Sequence, residues 1–334
     1  MITTPNINAN LRVLNYIDPE SIEVLTGVQT ADMIAKPRKI GYWGLNSYTF
    51  NVKERLGRVS PDDGSANNVI RSTTNNQQIL RGCKAFAGYW GANDIEKSQY
   101  SQMKIDIQAE DVKSLMQGLA INRNMVFFNG VKETWRENKD GVALPVYGFT
   151  NDPYLPAYEV VEANEAKTST QWKDKTPNEI SNDVCVVAYG RLITKSGGLA
   201  NTGITNKRGK LKLVLSNSSY TLLSKMQTVG TSWISAKMLI EQNLPGIEII
   251  ASPELDGINN SEDVFYLFYE EEAYGQTIDN LYIEMARAYP IFVKHSEVSQ
   301  KISQLLAGCV VKIPMFITRY TGINTTKQIP AGQK

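Results

Sequence analysis

The clearest pattern of apolar and polar positions lies in the stretch "QAEDVKSLMQGLAINRNMVFFNG", which runs from Gln108 to Gly130. Its apolar residues recur at the spacing of one helix face. Acidic residues near the start favour the positive end of a helix dipole, and Gly130 suits the position just beyond a helix end. The pattern therefore predicts a helix over about residues 109–129, roughly 30 Å long. The residues of its apolar stripe are Val112, Leu115, Met116, Leu119, Val126 and Phe127.

Residues 46–76 carry a different pattern, because polar residues occupy both faces of two strand-like runs. The runs "SYTFNVKERLGRVS" and "NNVIRSTTNNQQIL" alternate only partially, and the turn-forming stretch "PDDGSANN" joins them. These features predict a two-stranded hairpin without a hydrophobic core of its own. Since an isolated hairpin is marginal in water, the pattern favours a projecting element that docks on a neighbouring chain.

Helix-start signals occur at two further places. In the first segment, Asp18 and Pro19 indicate a modest helix within an otherwise polar arm. Farther along the chain, Thr176, Pro177 and Glu179 form the pattern of a capping box with proline at the first helical position. Between the hairpin and the long helix, strand and loop are expected, with four residues predicted to be buried: Ile79, Phe86, Tyr89 and Trp90.

The last third of the chain alternates element types without a regular rhythm. Strand patterns occur in "LKLVLS", "IEIIAS", "DVFYLFYE" and "KISQLLAGCVVKIPMFITRYTG", whereas "NSSYTLLSKM" and "SWISAKMLIEQ" are helical. A doubly wound parallel sheet would require strands and helices in strict alternation. The order found here predicts an α+β fold.

Composition narrows the classes of function. The 334 residues are 42% apolar, which is enough for a substantial core, and 35 basic residues nearly balance 34 acidic ones. This balance argues against a dedicated nucleic-acid-binding protein. Three isolated cysteines, Cys83, Cys185 and Cys309, indicate free thiols in a reducing compartment. No apolar run reaches the roughly 18 residues of a membrane span, so a soluble intracellular protein is expected.

Candidate chemistry is sparse. His295 is the only histidine, so any histidine-based catalysis must use it, and the common nucleotide-binding, zinc-protease and serine-hydrolase motifs are absent. The acidic stretches Asp62–Gly64 and Asp256–Asp263 lack the spacing of a calcium loop and are interpreted as solvated turns. We therefore expect no cofactor, no metal site and no catalysis. A small-ligand enzyme using His295 with a nearby carboxylate is the minor alternative.

The stretch "YGFTNDPYLP", Tyr147 to Pro156, is a run of turn-forming residues around a phenylalanine. It is compatible with a ligand loop, an active-site turn or a structural corner. As a ligand loop it would offer side-chain oxygens from Thr150, Asn151 and Asp152. Its position after the long helix favours the corner, with Gly148 permitting the bend and Phe149 anchoring it.

The order of these features resembles that of the major capsid protein of tailed bacteriophages. The matching order is a polar arm, a projecting hairpin, a long helix ending in "NRNMVFFNG", the turn "YGFTNDP" and a helix at "TPNEISNDV". The segments "LVLSNSSYTLL", "IEIIASPELD", "DVFYLFYEE" and "YPIFV" resemble that family's later segments. The resemblance covers about residues 40–322, and its specificity lies in the order of short motifs.

This resemblance implies the Hong Kong 97 type capsid fold, with a spine helix at about 109–129. The implied parts are an N-terminal arm at 1–40, an extended loop at 46–76, a peripheral domain at 77–150 and 300–322, a connection at 151–189, an axial domain at 190–299 and a polar tail at 323–334.

The resemblance also implies the function and partners. Copies would self-assemble into the hexamers and pentamers of an icosahedral head, with non-specific contact to packaged double-stranded DNA and no membrane partner. Scaffolding, portal and cement or decoration proteins would be further partners. The protein would be located in the virion, which would be assembled in the bacterial host cytoplasm. An encapsulin-type shell subunit is the alternative within the same fold.

Charged residues of the hairpin are the expected contacts between subunits: Lys53, Glu54, Arg55 and Arg58. Some members of the family crosslink a loop lysine to an asparagine of a neighbouring subunit with the help of a buried glutamate. Lys53 and Asn324 are the pair that this chain would offer, although the matching glutamate is not identified and most relatives rely on non-covalent contacts.

Overall fold

The computed structural model describes eight stretches of the chain, and the account below concerns these stretches alone. They are residues 29–56, 73–102, 107–131, 144–201, 209–229, 232–271, 276–294 and 297–325. Most of the N-terminal arm, the outer end of the predicted hairpin, His295 and most of the polar tail lie outside them.

Seven α-helices occur in the described stretches. They are α1 Ala31–Ile34, α2 Asp94–Gln102, α3 Ile107–Asn129, α4 Pro177–Asn182, α5 Tyr189–Lys195, α6 Asn217–Leu223 and α7 Ala236–Asn243. A π-helical segment, Asp183–Ala188, joins α4 to α5. Short 3-10 turns lie at Trp172–Asp174, Pro253–Leu255 and Pro314–Phe316.

Fourteen strands accompany these helices in the described part of the chain. They are β1 Pro37–Lys39, β2 Ser47–Leu56, β3 Thr73–Gly82, β4 Lys84–Ala92, β5 Glu159–Val160, β6 Gly209–Ser216, β7 Met226–Val229, β8 Ser232–Ser235, β9 Glu248–Ser252, β10 Glu262–Glu271, β11 Ile278–Ala288, β12 Phe292–Lys294, β13 Glu297–Val311 and β14 Ile317–Thr325.

The first sheet contains β1, β4, β11, β12 and β13. Its long strand β13 pairs antiparallel with β11, β12 and β4, and β1 runs parallel to β11 at an edge. The spine helix α3 packs on this sheet, where Val126 shares an apolar cluster with Leu306 and Val146. The helix predicted over about 109–129 is thus present as Ile107–Asn129, with Gly130 in the left-handed conformation at its end.

The second sheet has the order β5, β14, β10, β6, β9, and β10 is its central strand. Side chains of β10 alternate between two apolar cores, one on each face of the sheet, so residues 263–269 of the strand are buried. On the first face it contributes Phe265, Leu267 and Tyr269, and on the second face Val264, Tyr266 and Phe268.

Different elements cover the two faces of the second sheet. The helices α4 to α7 cover the first face, through residues such as Ile180, Leu192 and Ile240. The predicted capping box starts α4, because the Thr176 hydroxyl accepts from the Glu179 amide and the Glu179 carboxylate accepts in return. The second face is covered by the end of the spine helix, by α1 and by the turn at 147–156.

Residues 300–322 divide between the two sheets. β13 belongs to the first sheet, whereas β14 pairs with β10 and β5 in the second. The chain therefore passes from the first sheet to the second here, and only residues 312–316 separate β13 from β14. The mixture of helices with mainly antiparallel sheets confirms the α+β prediction.

The prediction that Tyr89 is buried was wrong. Its side chain is 76% exposed, whereas that of the adjacent Trp90 is 4% exposed. Successive residues of a strand point to opposite faces, and β4 buries only one face here. Of the other three residues predicted to be buried, Ile79 and Trp90 are buried and Phe86 is half-buried.

The prediction that Asp256–Asp263 forms a solvated turn was wrong for Asp263, which is fully buried. Its carboxylate accepts hydrogen bonds from the hydroxyls of Ser216, Ser218 and Ser219, and from the Gly257 amide at 2.8 Å. The turn at the start of α6 supplies these hydroxyls, and only the folded chain brings it to β10. Asp263 thus joins α6, β10 and the loop before β10.

Replacing Asp263 tests this role. Asp263→Ala should lower the free energy of unfolding by about 3 kcal/mol, because it leaves buried hydroxyl and amide donors without an acceptor. Urea denaturation of the unassembled protein measures the change. The matched control, Asp174→Ala at an exposed position, should change stability by no more than about 0.5 kcal/mol. Equal losses in the two variants would contradict the assignment.

Candidate assembly interface

The projecting hairpin consists of β2 and β3, which pair antiparallel from Ser47 opposite Gly82 to Leu56 opposite Thr73. Lys53 lies opposite Asn76 and its side chain is exposed. Glu54 and Arg55 follow it along β2, opposite Asn75 and Thr74. Arg58 lies outside the described residues. The structure therefore places three of the four predicted contact residues consecutively on one strand of the hairpin.

Little of the hairpin is covered by its own chain. Residues 51–53 of β2 and 74–78 of β3 are exposed, which means both faces of the ladder. Val52 and Leu80 are 37% and 47% exposed although they are apolar. A ladder exposed on both faces gains no burial energy beyond its root. This arrangement is typical of an element that another molecule covers.

The root of the hairpin packs on the first sheet. Tyr48 and Phe50 of β2 contact an apolar cluster that includes Leu281 and Leu305. Burial raises the pKa of the Cys83 thiol, which follows β3, to about 12. The thiol is thus protonated and unreactive near neutral pH, and all three cysteines are free, as predicted from their isolation.

A buried ion pair ties the root to the turn at 147–156, which is called the corner below. The Arg81 guanidinium, at the inner end of β3, lies 3.2 Å from the Asp152 carboxylate, and their side chains are 7% and 0% exposed. The same guanidinium lies 4.5 Å from the ring centroid of Tyr147 and 5.2 Å from that of Tyr154. Arg81 is therefore held by a charge and by two aromatic faces.

Asp152 has further partners beyond Arg81. Its carboxylate accepts from the Tyr154 amide at 2.9 Å and from the Val311 amide, at the end of β13, at 3.3 Å. Burial raises the pKa of the Asp152 carboxyl, although the two amides and the Arg81 charge act in the opposite direction. One carboxylate thus connects the hairpin root, the corner and the first sheet.

The corner also closes the end of the spine helix. The Phe149 amide donates to the Phe127 carbonyl at 2.7 Å, and the Thr150 amide donates to the Phe128 carbonyl at 3.1 Å. Carbonyls in the last turn of a helix have no partner within the helix, so these bonds satisfy groups that would otherwise be buried unpaired. The corner therefore supplies the hydrogen-bond donors that the last turn of the spine helix lacks.

Phe149 fills the centre of this junction and is fully buried. Its ring stacks on Phe127 at 5.7 Å and meets Phe128 edge to face at 6.0 Å. On the other side it lies 4.4 Å from the ring of Tyr266 in β10. Because Tyr266 belongs to the second sheet, Phe149 connects the spine helix to that sheet. The predicted anchoring role of Phe149 is confirmed.

Gly148 is required for a different reason from the one expected. It does not adopt a left-handed backbone, but a Cβ at this position would collide with the Phe128 carbonyl and the Gly130 amide. The two chain segments approach so closely that only hydrogen fits between them. The corner thus needs glycine because a larger residue at position 148 has no room for its side chain.

The oxygens that suggested a ligand loop are used within the protein. The Thr150 hydroxyl donates to the Phe128 carbonyl at 2.8 Å, and the Asn151 side chain bonds both Gly148 and Asn129. Together with the Arg81 and amide contacts of Asp152, these bonds make the corner a structural element.

Other candidate chemistry remains limited in the described part of the chain. His295 lies outside it. Within the described stretches, no group of three histidine, cysteine, aspartate or glutamate side chains is placed to hold a metal ion. The helices in these stretches are all too short or too polar to cross a bilayer.

Arg81 is the residue that sequence reasoning missed. It lies 71 positions from Asp152 and belongs to no recognisable motif, although Asp152 is part of the turn motif "YGFTNDP". No periodicity or spacing relates a strand end to a turn so distant in the chain, so no local signal was available.

Comparisons with known proteins support a single family. A family model described as Pa193 gp26 major capsid protein matches residues 1–322. No curated protein matches the sequence.

Solved capsid structures have a similar fold. The capsid of Myoviridae phage XM1 has a TM-score of 0.69 at 12% identity, covering 95% of this chain and 99% of that chain. The mature capsid of bacteriophage PhiM1 has a TM-score of 0.55 at 7% identity, covering 95% and 92%. The capsid of an empty GTA particle has a TM-score of 0.54 at 14% identity, covering 96% and 100%.

A methyl group added at Gly148 tests the closeness of the corner. Gly148→Ala should destabilise the protein by about 3 kcal/mol, because the backbone segments around it must separate. The control is Gly118→Ala in the spine helix, where nothing lies within 4 Å of the added carbon; it should stabilise the helix by up to about 1 kcal/mol. Chemical denaturation compares both, and a harmless Gly148→Ala would contradict the description of the corner.

Proposed function

The chain belongs to the Pa193 gp26 major capsid protein family, and on that premise we propose that its copies form the hexamers and pentamers of an icosahedral phage head enclosing double-stranded DNA. Its fold is the Hong Kong 97 type capsid fold predicted from the sequence. The chain is thus a structural component of a tailed-phage capsid and of the virion.

The observation that carries the proposal is the projecting hairpin. It extends from a firmly anchored root, yet residues 51–53 and 74–78 are exposed on both faces. Such a hairpin gains stability when a neighbouring copy covers it. Obligate assemblies commonly bury more than about 2,000 Å² per interface, and a projecting hairpin adds area of this kind without enlarging the core.

The charges on the hairpin are the proposed contacts between copies. Lys53 is exposed, and Glu54 and Arg55 follow it on the same strand. Arg58, the fourth proposed contact residue, comes three residues after Arg55 in the sequence and lies outside the described residues. Alternating positive and negative charges set register and exclude wrong partners across an interface more than they add affinity. Non-covalent pairing of this kind is proposed in preference to a Lys53–Asn324 crosslink.

The presence of two separate sheets supports a division of the body into two domains. We assign the first sheet, with the spine helix, to the peripheral domain, which moves β11, β12 and the start of β13 out of the axial range 190–299 predicted from the sequence. Strands β6, β9 and β10 of the second sheet, with α6 and α7, stay in the axial domain around the capsomer axes. The placement of β14 in the second sheet supports assigning residues 317–322 of the predicted peripheral domain, and residues 323–325 of the predicted tail, to the axial domain. Residues 1–40 are assigned to the arm, 46–76 to the extended loop and 151–189 to the connection.

The proposed partners follow from the family and from charge. Scaffolding, portal and cement or decoration proteins would join the shell during assembly in the bacterial host cytoplasm. Because basic and acidic residues nearly balance, contact with the packaged DNA would be weak and non-specific. We further propose that the chain has no catalytic activity, and that a phage head is favoured over an encapsulin-type shell because the matching family is a phage one.

Electron microscopy of the purified protein tests the function. Expressed protein should form closed shells or ring-shaped capsomers in negative stain, and shells produced during infection should contain DNA. A chain that stays monomeric at high concentration and with scaffolding protein present would contradict the proposal. Shells filled with a protein cargo would support the encapsulin alternative.

Reversal of hairpin charges tests the contact residues. Glu54→Lys combined with Arg58→Glu keeps the net charge but should reduce the yield of assembled particles about tenfold, because like charges then face each other between copies. Particle yield is measured by sedimentation, and thermal unfolding of the monomer should be unchanged. Glu54→Asp with Arg58→Lys is the control that keeps both charges, and normal particles from the reversed variant would contradict the assignment.

A further inference from the structure

The projecting hairpin acts as a lever because it is long and its root is small. Each strand contains ten residues, which span about 30 Å at the rise of an extended chain. A rotation of about 10° at the root therefore displaces the outer end by about 5 Å. The direction of the hairpin must be fixed at the root, since its outer described residues are exposed.

Among the described residues of the root, one side-chain contact stands out as strongly directional. The packing of Tyr48 and Phe50 on the first sheet is apolar and tolerates sliding. Backbone bonds from Gly82 to Pro145 and from Cys83 to Asn46 hold the chain position. The Arg81 guanidinium, by contrast, is a planar group that contacts two tyrosine rings and lies 3.2 Å from a carboxylate oxygen.

The Arg81 contact contributes less to the free energy of unfolding than a fully hydrogen-bonded or apolar contact of the same size would. The Arg81 Nε and the hydroxyl of Tyr48, its neighbour across the ladder, are buried and have no hydrogen-bond partner among the described residues. Unpaired buried donors cost free energy, and buried ion pairs often stabilise less than apolar packing of the same volume. An arrangement with high directionality and modest stabilisation fits a positioning role.

We propose that Arg81 sets the angle between the projecting hairpin and the body of the subunit, and thereby the diameter of the shell. The inference rests on the proposed function, because it requires closed assemblies. The angle at which a hairpin reaches the next copy determines the rotation between neighbours, and that rotation decides which closed assembly forms. Loosening the root should therefore give particles of mixed size instead of preventing assembly.

Two substitutions at Arg81 test the proposal. Arg81→Lys keeps the charge but removes the planar group, and Arg81→Met removes both. The diameters of assembled particles, measured by cryo-electron microscopy, should spread several-fold more widely than for the unmodified protein, with Met exceeding Lys. Hydrogen exchange of unassembled subunits should become several-fold faster in residues 47–56 and 73–82 than in the second sheet.

The control removes a comparable ion pair elsewhere. Lys175 and Asp183 form a buried pair at 2.6 Å beneath the helices of the second sheet, so Lys175→Met with Asp183→Asn should alter stability but leave one particle diameter. If Arg81→Met fails to fold, Arg81→Lys decides. Arg81→Lys with a single unchanged diameter and unchanged hairpin exchange would overturn the inference. Absence of shells from the unmodified chain would refute the proposed function, while the exchange measurement would still test the angle.

Discussion

The structure depends on the tight packing of the corner against the end of the spine helix. At this place the helix needs partners for its last carbonyls, and the corner amides supply them. The backbones approach so closely that Gly148 has no room for a Cβ. Phe149 then fills the space between the helix and β10, and Asp152 reaches both β13 and the hairpin root. Both sheets, the spine helix and the hairpin thus take their relative positions from one turn.

This concentration of contacts suits a shell subunit. A hairpin exposed on both faces contributes little to the folding of its own chain, so its ladder needs a rigid support. The first sheet carries the root of the hairpin directly. The corner connects that root to the second sheet, whose central strand β10 packs between two aromatic and aliphatic cores. The subunit therefore combines a well-packed body with a projecting hairpin whose ladder is exposed on both faces.

Local patterns predicted most elements, because their causes lie within a few residues. The capping box at Thr176, the long helix before Gly130 and the apolar run of β10 each follow from spacing that the chain carries by itself. Predictions failed where one sequence pattern is compatible with both a buried and an exposed side chain. Tyr89 and Trp90 are adjacent aromatics, and which of them is buried depends on the face that the fold covers. In the sequence, Asp263 resembles an ordinary turn residue. In the folded chain, three serine hydroxyls donate hydrogen bonds to its buried carboxylate.

The sequence by itself determined the α+β class, the polar hairpin, the spine helix, the corner as a turn and the capsid family, because each is encoded in periodicity, turn chemistry or the order of short motifs. Only the tertiary structure decided that Asp152 pairs with Arg81, that Gly148 serves close approach and that β14 joins the second sheet. Contacts between residues distant in the chain have no local signature. They arise when packing brings the segments together, and here they fix the direction in which the hairpin projects.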